Sequence, residues 1–295
     1  MSNSSVTPDP QVVRAGYERL VENFIYELIP MKSAPDKIGE LPPGSTVSVT
    51  CSPAHGIGET LELAKQIAAA GHRPIPHLAA RTVTSRHELR DAIGILDDLG
   101  LTEVFVIAGD AEQPRGPWFD SIEFLTDLLE MAPNLQAVGF GSYPDGHPAI
   151  DAERLSAALL AKQALLAEAG VAAHTSTQMC FDPQQLISWL ASVRRAGFTA
   201  PVRLGVPGAI DRMKLMKMGM RLGVGASLSY LRKNRSSLTK MFISTGYDPG
   251  ELIGPMSAHA EALGIEGVHC FTFNNVAATV EWHAGQRRAL ADEPA

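Results

Sequence analysis

Two carboxylates in this chain stand where acid–base chemistry could use them. Glu27 lies inside the apolar run NFIYELI, between Tyr26 and Leu28. Burying a carboxylate there is costly unless it is paired or neutralised, and desolvation favours the protonated acid. Glu27 is therefore a candidate general acid, with a salt-bridged structural Glu as the alternative. Asp110 closes TEVFVIAGD, and Gly109 lets the backbone turn sharply so that the carboxylate can project from a strand end. Its alternative role is an N-cap for the segment that follows.

Further polar residues recur near the ends of apolar runs: His77 in PIPHL, Tyr143 and His147 in GSYPDGHP, and Gln178 in STQMCFD. Imidazole and phenol groups there can hydrogen-bond a heterocycle, and Gln offers a donor and an acceptor to a ring edge. Singly, each also reads as a satisfied structural residue; their recurrence points to a site. Thr50 in SVTCSPAHG could bond a phosphate or a ring carbonyl, and His55 with the segment from Gly56 to Gly58 could add an anion site at a helix N-terminus. No CxxC or HxxxH pair occurs, so no metal site is expected. Cys51, Cys180 and Cys270 read as reduced, buried thiols.

These residues need elements to position them. Short apolar runs at 23–29, 45–51, 73–78, 102–108, 135–141, 171–177, 201–206 and 267–273 alternate with helical stretches such as SRHELRDAIGILDDLG, which end in a glycine able to take the left-handed C-cap conformation. Strand and helix in strict succession imply parallel pairing through right-handed crossovers. About eight such units predict a (β/α)8 TIM barrel, whose chemistry sits at the C-terminal ends of its strands. An open doubly wound sheet is the alternative, but NFIYELIPMKS carries no GxGxxG fingerprint.

With 295 residues and 45% hydrophobic content, the chain suits one catalytic barrel over 23–290 behind an N-terminal extension, 1–22, whose first residues, MSNSSVTPDP, read as a disordered tip. The net charge of −7 gives no electrostatic footprint for nucleic acid. No apolar run is long enough to span a membrane and no signal peptide is visible, so a cytoplasmic protein is expected. Residues 223–256, with the basic cluster Arg232, Lys233, Asn234 and Arg235, predict a helical insertion near the seventh and eighth units, either a solvated excursion or a lid or contact for an acidic ligand tail.

Several of these segments, in order, resemble the methylenetetrahydrofolate reductases. YELIPMKS is similar to the family's first-strand segment and places Glu27 on its acidic residue; SVTCSP resembles its Val-Thr motif, and PHLAARTVTSRHELRD its Pro-His-Leu segment and following helix. FVIAGD matches the strand ending in Gly-Asp, GSYPDGHP the Tyr-Pro-x-x-His-Pro turn, STQMCFDPQQL the Thr-Gln-x-x-Phe-Asp motif, and GVHCFTFNN the closing strand. The resemblance implies reduction of 5,10-methylenetetrahydrofolate to 5-methyltetrahydrofolate, with NADH or NADPH as electron source and, in most of the family, FAD as carrier. It makes Glu27 the acid at N10, Asp110 a catalytic and substrate-binding neighbour of pterin and flavin, and Gln178 a substrate contact. Thr50, His77, Gly109, Asp110, Tyr143, His147 and Lys162 become cofactor contacts. The chain departs from the family pattern at Ala108, where an Arg is usual, and in LLAKQALLAEAG, which offers only Lys162 to the FAD phosphates. Direct hydride transfer without flavin is therefore a second expectation, and a tetrahydrofolate-dependent methyltransferase or O-demethylase on the same barrel a third.

Overall fold

The computed structural model describes residues 8–52, 56–221 and 246–292. Eight parallel strands close a barrel in the order β1-β10-β7-β6-β5-β4-β3-β2. They are β1 (Phe24–Leu28), β2 (Thr46–Val49), β3 (Arg73–Ala79), β4 (Glu103–Ile107), β5 (Ala137–Ser142), β6 (Ala172–Thr177), β7 (Val202–Pro207) and β10 (Ile265–Phe271). Each falls on one of the eight apolar runs. A short antiparallel ribbon, β8 (Ile210–Asp211) with β9 (Gly246–Tyr247), lies between β7 and β10 in the chain.

The described helices are α1 (Pro10–Glu22), α2 (Ala34–Ile38), α3 (Gly56–Ala69), α4 (Arg86–Asp98), α5 (Ser121–Met131), α6 (Ala152–Glu168), α7 (Pro183–Arg195), α8 (Arg212–Arg221), α9 (Gly250–Ser257) and α10 (Val276–Asp292). Side-chain caps start several of them: Asp9, Ser85, Asp120, Asp151 and Asp182 each accept from backbone N–H groups of the first turn. Gly71, Gly100 and Gly170, just past the ends of α3, α4 and α6, have φ of +83°, +64° and +70°, as their sequence positions predict.

The expected tip is corrected in part. Asp9 caps α1 and Pro10 opens it, and Gly16, Leu20 and Val21 are buried. Gly16 lies so close to the Ser257 carbonyl that an added Cβ would sit 1.9 Å from it, so α1 packs tightly on α9. Residues 1–7 lie outside the described residues, as do His55 and the basic cluster at 232–235. Of the expected insertion, the described part holds β9 and α9.

Strand register sets which side chains fill the barrel. Glu27 pairs with Ser48, Ser48 with Ile75, His77 with Phe105, Phe105 with Gly139, Gly139 with His174 and Gly205 with His269. Because the strands tilt, inward residues stack in layers drawn from alternate strands. One layer holds Glu27, His77, Gly141 and Gly205. Below it, towards the N-terminal face, lie Ser48, Phe105, Ser176 and His269, then Ile25, Ile75, Gly139 and Arg203, then Thr46, Glu103, His174 and Gly267. Such interiors are usually filled by branched aliphatics. Here Ile25, Ile75 and Phe105, with Ile107 against them, form a small apolar cluster separate from the main core between strands and helices. The seam between β6 and β7 is the shortest: Thr175 pairs with Val202 and Ser176 with Arg203, and the Gly205 N–H then bonds the Thr177 hydroxyl at 2.8 Å.

Candidate active site

Glu27 is buried, 7% exposed, and turned into the barrel. Its Oε2 lies 3.0 Å from His269 Nε2, and His269 Nδ1 lies 3.1 Å from Ser176 Oγ. In the tautomer with hydrogen on Nε2, His269 donates to the carboxylate and accepts from the serine. The chain Ser176–His269–Glu27 thus crosses β6, β10 and β1. Thr272 Oγ1 also bonds the Glu27 carbonyl, pinning the end of β10 to β1.

His77 faces the same space. Its Nε2 is 2.6 Å from Ser48 Oγ, and its ring stacks on Phe105 with centroids 4.6 Å apart. Burial, reinforced by nearby His269, holds its pKa well below the usual histidine value, so it is neutral. Ligand atoms of Glu27, His77 and His269 lie within 4.8 Å of one another. Three strands supply this cluster, so no short motif could announce it, and the expectation of no metal rested on motifs alone. Its donors are engaged with one another and with two serines.

Around this buried set the strand ends bring further expected residues to the mouth. Thr50 and Gln178 belong to the inward layer just above Glu27, with Ile107 and Phe271. The Thr50 N–H bonds the Leu28 carbonyl at 3.0 Å, and Gln178 Oε1 accepts from the Met179 N–H at 2.9 Å, which leaves the Gln amide nitrogen for a ligand. Gly109 has φ of +88°, and a Cβ there would lie 3.2 Å from the Ala79 Cβ, so glycine is required for the turn. Asp110 is exposed at the rim. Burial first, and the charge of Asp110 second, raise the pKa of Tyr143, which places these two side chains in one field. Tyr143 in turn meets His147 edge to face, centroids 5.1 Å apart.

Lys162 is not brought to this mouth. Gly139 faces inward, so Phe140 after it faces the helices, and the Lys162 ammonium lies 5.3 Å from the Phe140 ring centroid. Burial pushes its pKa down to about 8, partly opposed by Asp120. It belongs to the layer between β5 and α6.

His269, Ser176 and Ser48 are absent from the sequence expectations because they sit within strands rather than at their ends. The available signal was register: in GVHCFTF, His269 shares a face with Phe271 and alternates with Val268 and Cys270, which are fully buried.

A family model described as methylenetetrahydrofolate reductase matches residues 31–223. Among solved structures, a Clostridium thermocellum protein described as binding two copies of 5-methyl-5,6,7,8-tetrahydrofolic acid is similar at a TM-score of 0.56, with 11% identity over 95% of this chain and 98% of that one. A Burkholderia cenocepacia J2315 protein, provisionally described as a lyase/mutase, is similar at a TM-score of 0.47, with 16% identity over 95% of this chain and 83% of that one. The first likeness is one of fold.

Proposed function

The chain belongs to the methylenetetrahydrofolate reductase family, and from that premise we propose that it reduces 5,10-methylenetetrahydrofolate to 5-methyltetrahydrofolate with hydride from NADH or NADPH. The observation that carries the reading is the Glu27–His269–Ser176 chain buried beneath the mouth. The bridging methylene accepts hydride only after its five-membered ring opens. Protonation of N10 lets the methylene–N10 bond break, leaving an N5 iminium cation; hydride added to that carbon gives the N5-methyl group and oxidised nicotinamide. Glu27 supplies the proton, directly or through water. His269 holds the carboxyl group's orientation through the 3.0 Å contact. Asp110, across the rim, favours the cationic intermediate through its charge. Gln178 offers its amide to the pterin edge or the nicotinamide, and Thr50, Tyr143 and His147 complete the rim. That a relative in fold binds a methylated tetrahydrofolate agrees with this substrate class.

FAD is the carrier used by most of the family, and it needs cations for its pyrophosphate. Among the described residues, Lys162 was the cation expected to fill that role, and its ammonium packs on Phe140 outside β5. That placement does not fit a pyrophosphate cradle, and no step is routed through flavin. The test is NADH and NADPH oxidation by the purified protein on addition of 5,10-methylenetetrahydrofolate, with and without FAD. Folate-dependent oxidation of equal rate in both supports the reading. Activity only with FAD returns the carrier to the scheme, and no oxidation in either overturns the reduction in favour of methyl transfer.

A further inference from the structure

A cavity of about 850 Å3 opens at the N-terminal face of the barrel, the end opposite the strand-end residues discussed above. It is lined by the starts of β1 to β4, by Arg203 of β7 and by the middle of α10. Conserved chemistry in this fold belongs to the other face, and barrel interiors are normally packed.

Its lining is cationic. Arg73, Arg203 and Arg287 enter from three elements, against the carboxylates of Glu22 and Glu103. Among the described residues none of the three arginines closes an ion pair; Arg73 donates only to Thr46 Oγ1, at 2.9 Å. Arg203 Nε is buried with no hydrogen-bond partner, and so is His72 Nδ1, which lines the same cavity. Buried polar atoms without partners are rare in folded proteins, and each one left so carries a desolvation cost. Glu103 compensates Arg203 only in part: Arg203 and Arg73 oppose the rise that burial gives its pKa, while its Oε1 lies 3.5 Å from His174 Nε2. Guanidinium forks match the oxygens of phosphates better than any other side chain does.

We propose that this cavity is a second binding site, separate from the mouth, for a phosphate-class oxyanion, with Arg203, whose Nε is buried, as its anchor and Arg73 and Arg287 at its rim. The oxyanion is either free or the terminal group of a phosphorylated metabolite; the volume lies within the range of small-molecule sites.

The test is isothermal titration of the full chain with inorganic phosphate and, separately, with AMP, at constant ionic strength. Saturable one-site binding is expected, weakened about tenfold or more in Arg203→Gln and in Arg73→Gln, as loss of a charge-assisted bond requires. Equal affinity for both probes identifies the free ion, and tighter binding of AMP identifies a phosphate ester. Arg73→Gln and Arg287→Gln carry the test should Arg203→Gln fail to fold, and folate-dependent NADH oxidation in them should match the parent. Absence of saturable binding of either probe, or binding unchanged across the variants, overturns the proposal.

Discussion

Glu27→Gln tests the acid role with the least disturbance. The amide is nearly isosteric, and its oxygen or its NH2 can keep the 3.0 Å contact with His269 Nε2, whichever tautomer the ring holds. The exchange replaces a hydrogen bond to an ionisable group by a neutral one, a difference of about 1 kcal/mol, so the fold survives. What is lost is the proton. General acid catalysis is worth about a hundred- to ten-thousand-fold, and turnover should fall by that factor. The assay is nicotinamide oxidation under saturating 5,10-methylenetetrahydrofolate, with folate affinity read separately by fluorescence quenching and stability by thermal melting. Turnover within about fivefold of the parent, in a variant that melts normally and binds folate, would remove Glu27 from the acid role. A loss of folate binding without a change in turnover at saturation would make it a binding residue instead.

Stability should fall in acid. His174 is buried, and burial first, then Arg203 and His269, push its pKa down to about 3. Between pH 6.5 and that value the unfolded chain takes up a proton that the native state refuses, which costs about 1.4 kcal/mol per pH unit. His77 and His283 are shifted in the same direction. Urea midpoints at pH 7.5, 6.5 and 5.5 should decline below pH 6.5, with a shallower slope in His174→Asn; identical slopes refute the assignment. Gly139→Ala places a Cβ 2.4 Å from both His174 Nε2 and Phe105 Cδ2, and such overpacking should cost about 1–3 kcal/mol. An unchanged melting temperature would show that the layer can relax. Lys162→Met keeps the packing over Phe140 without the charge and should leave turnover within twofold; a deficit cured by excess nicotinamide or flavin would return Lys162 to a cofactor site.

The barrel was legible because short, mostly apolar strands alternate with helices, several of which end at a glycine with positive φ, as Gly71, Gly100 and Gly170 show. Glu27 and His77 were legible because a charged or polar side chain in an apolar run stands out. His269 and Ser176 were not, because their meaning depends on register between strands more than thirty residues apart. Lys162 misled because helix position says nothing about which layer a long side chain enters. The signals of α1 stand in the sequence as well, an Asp9 cap, Pro10 in the first turn and Gly16, Leu20 and Val21 on one face, but they lie in a segment whose polar start reads as a tip. The arginines of the lower cavity stand singly in the chain and converge only when the cylinder closes.

The seam between β6 and β7 gives the cylinder a direction in which it yields. Two paired positions join these strands, whereas six join β5 to β6. Past them a threonine hydroxyl replaces the ladder, and Gly205 is pressed so near the Thr177 carbonyl that any side chain would wedge the strands apart. Local opening costs least where backbone bonds are fewest. Local opening of the barrel is therefore expected first along this line, which runs beside Ser176 and ends at the mouth next to Gln178. Hydrogen exchange checks this: the Gly205 amide proton should exchange ahead of those in β1, and equal protection would refute it.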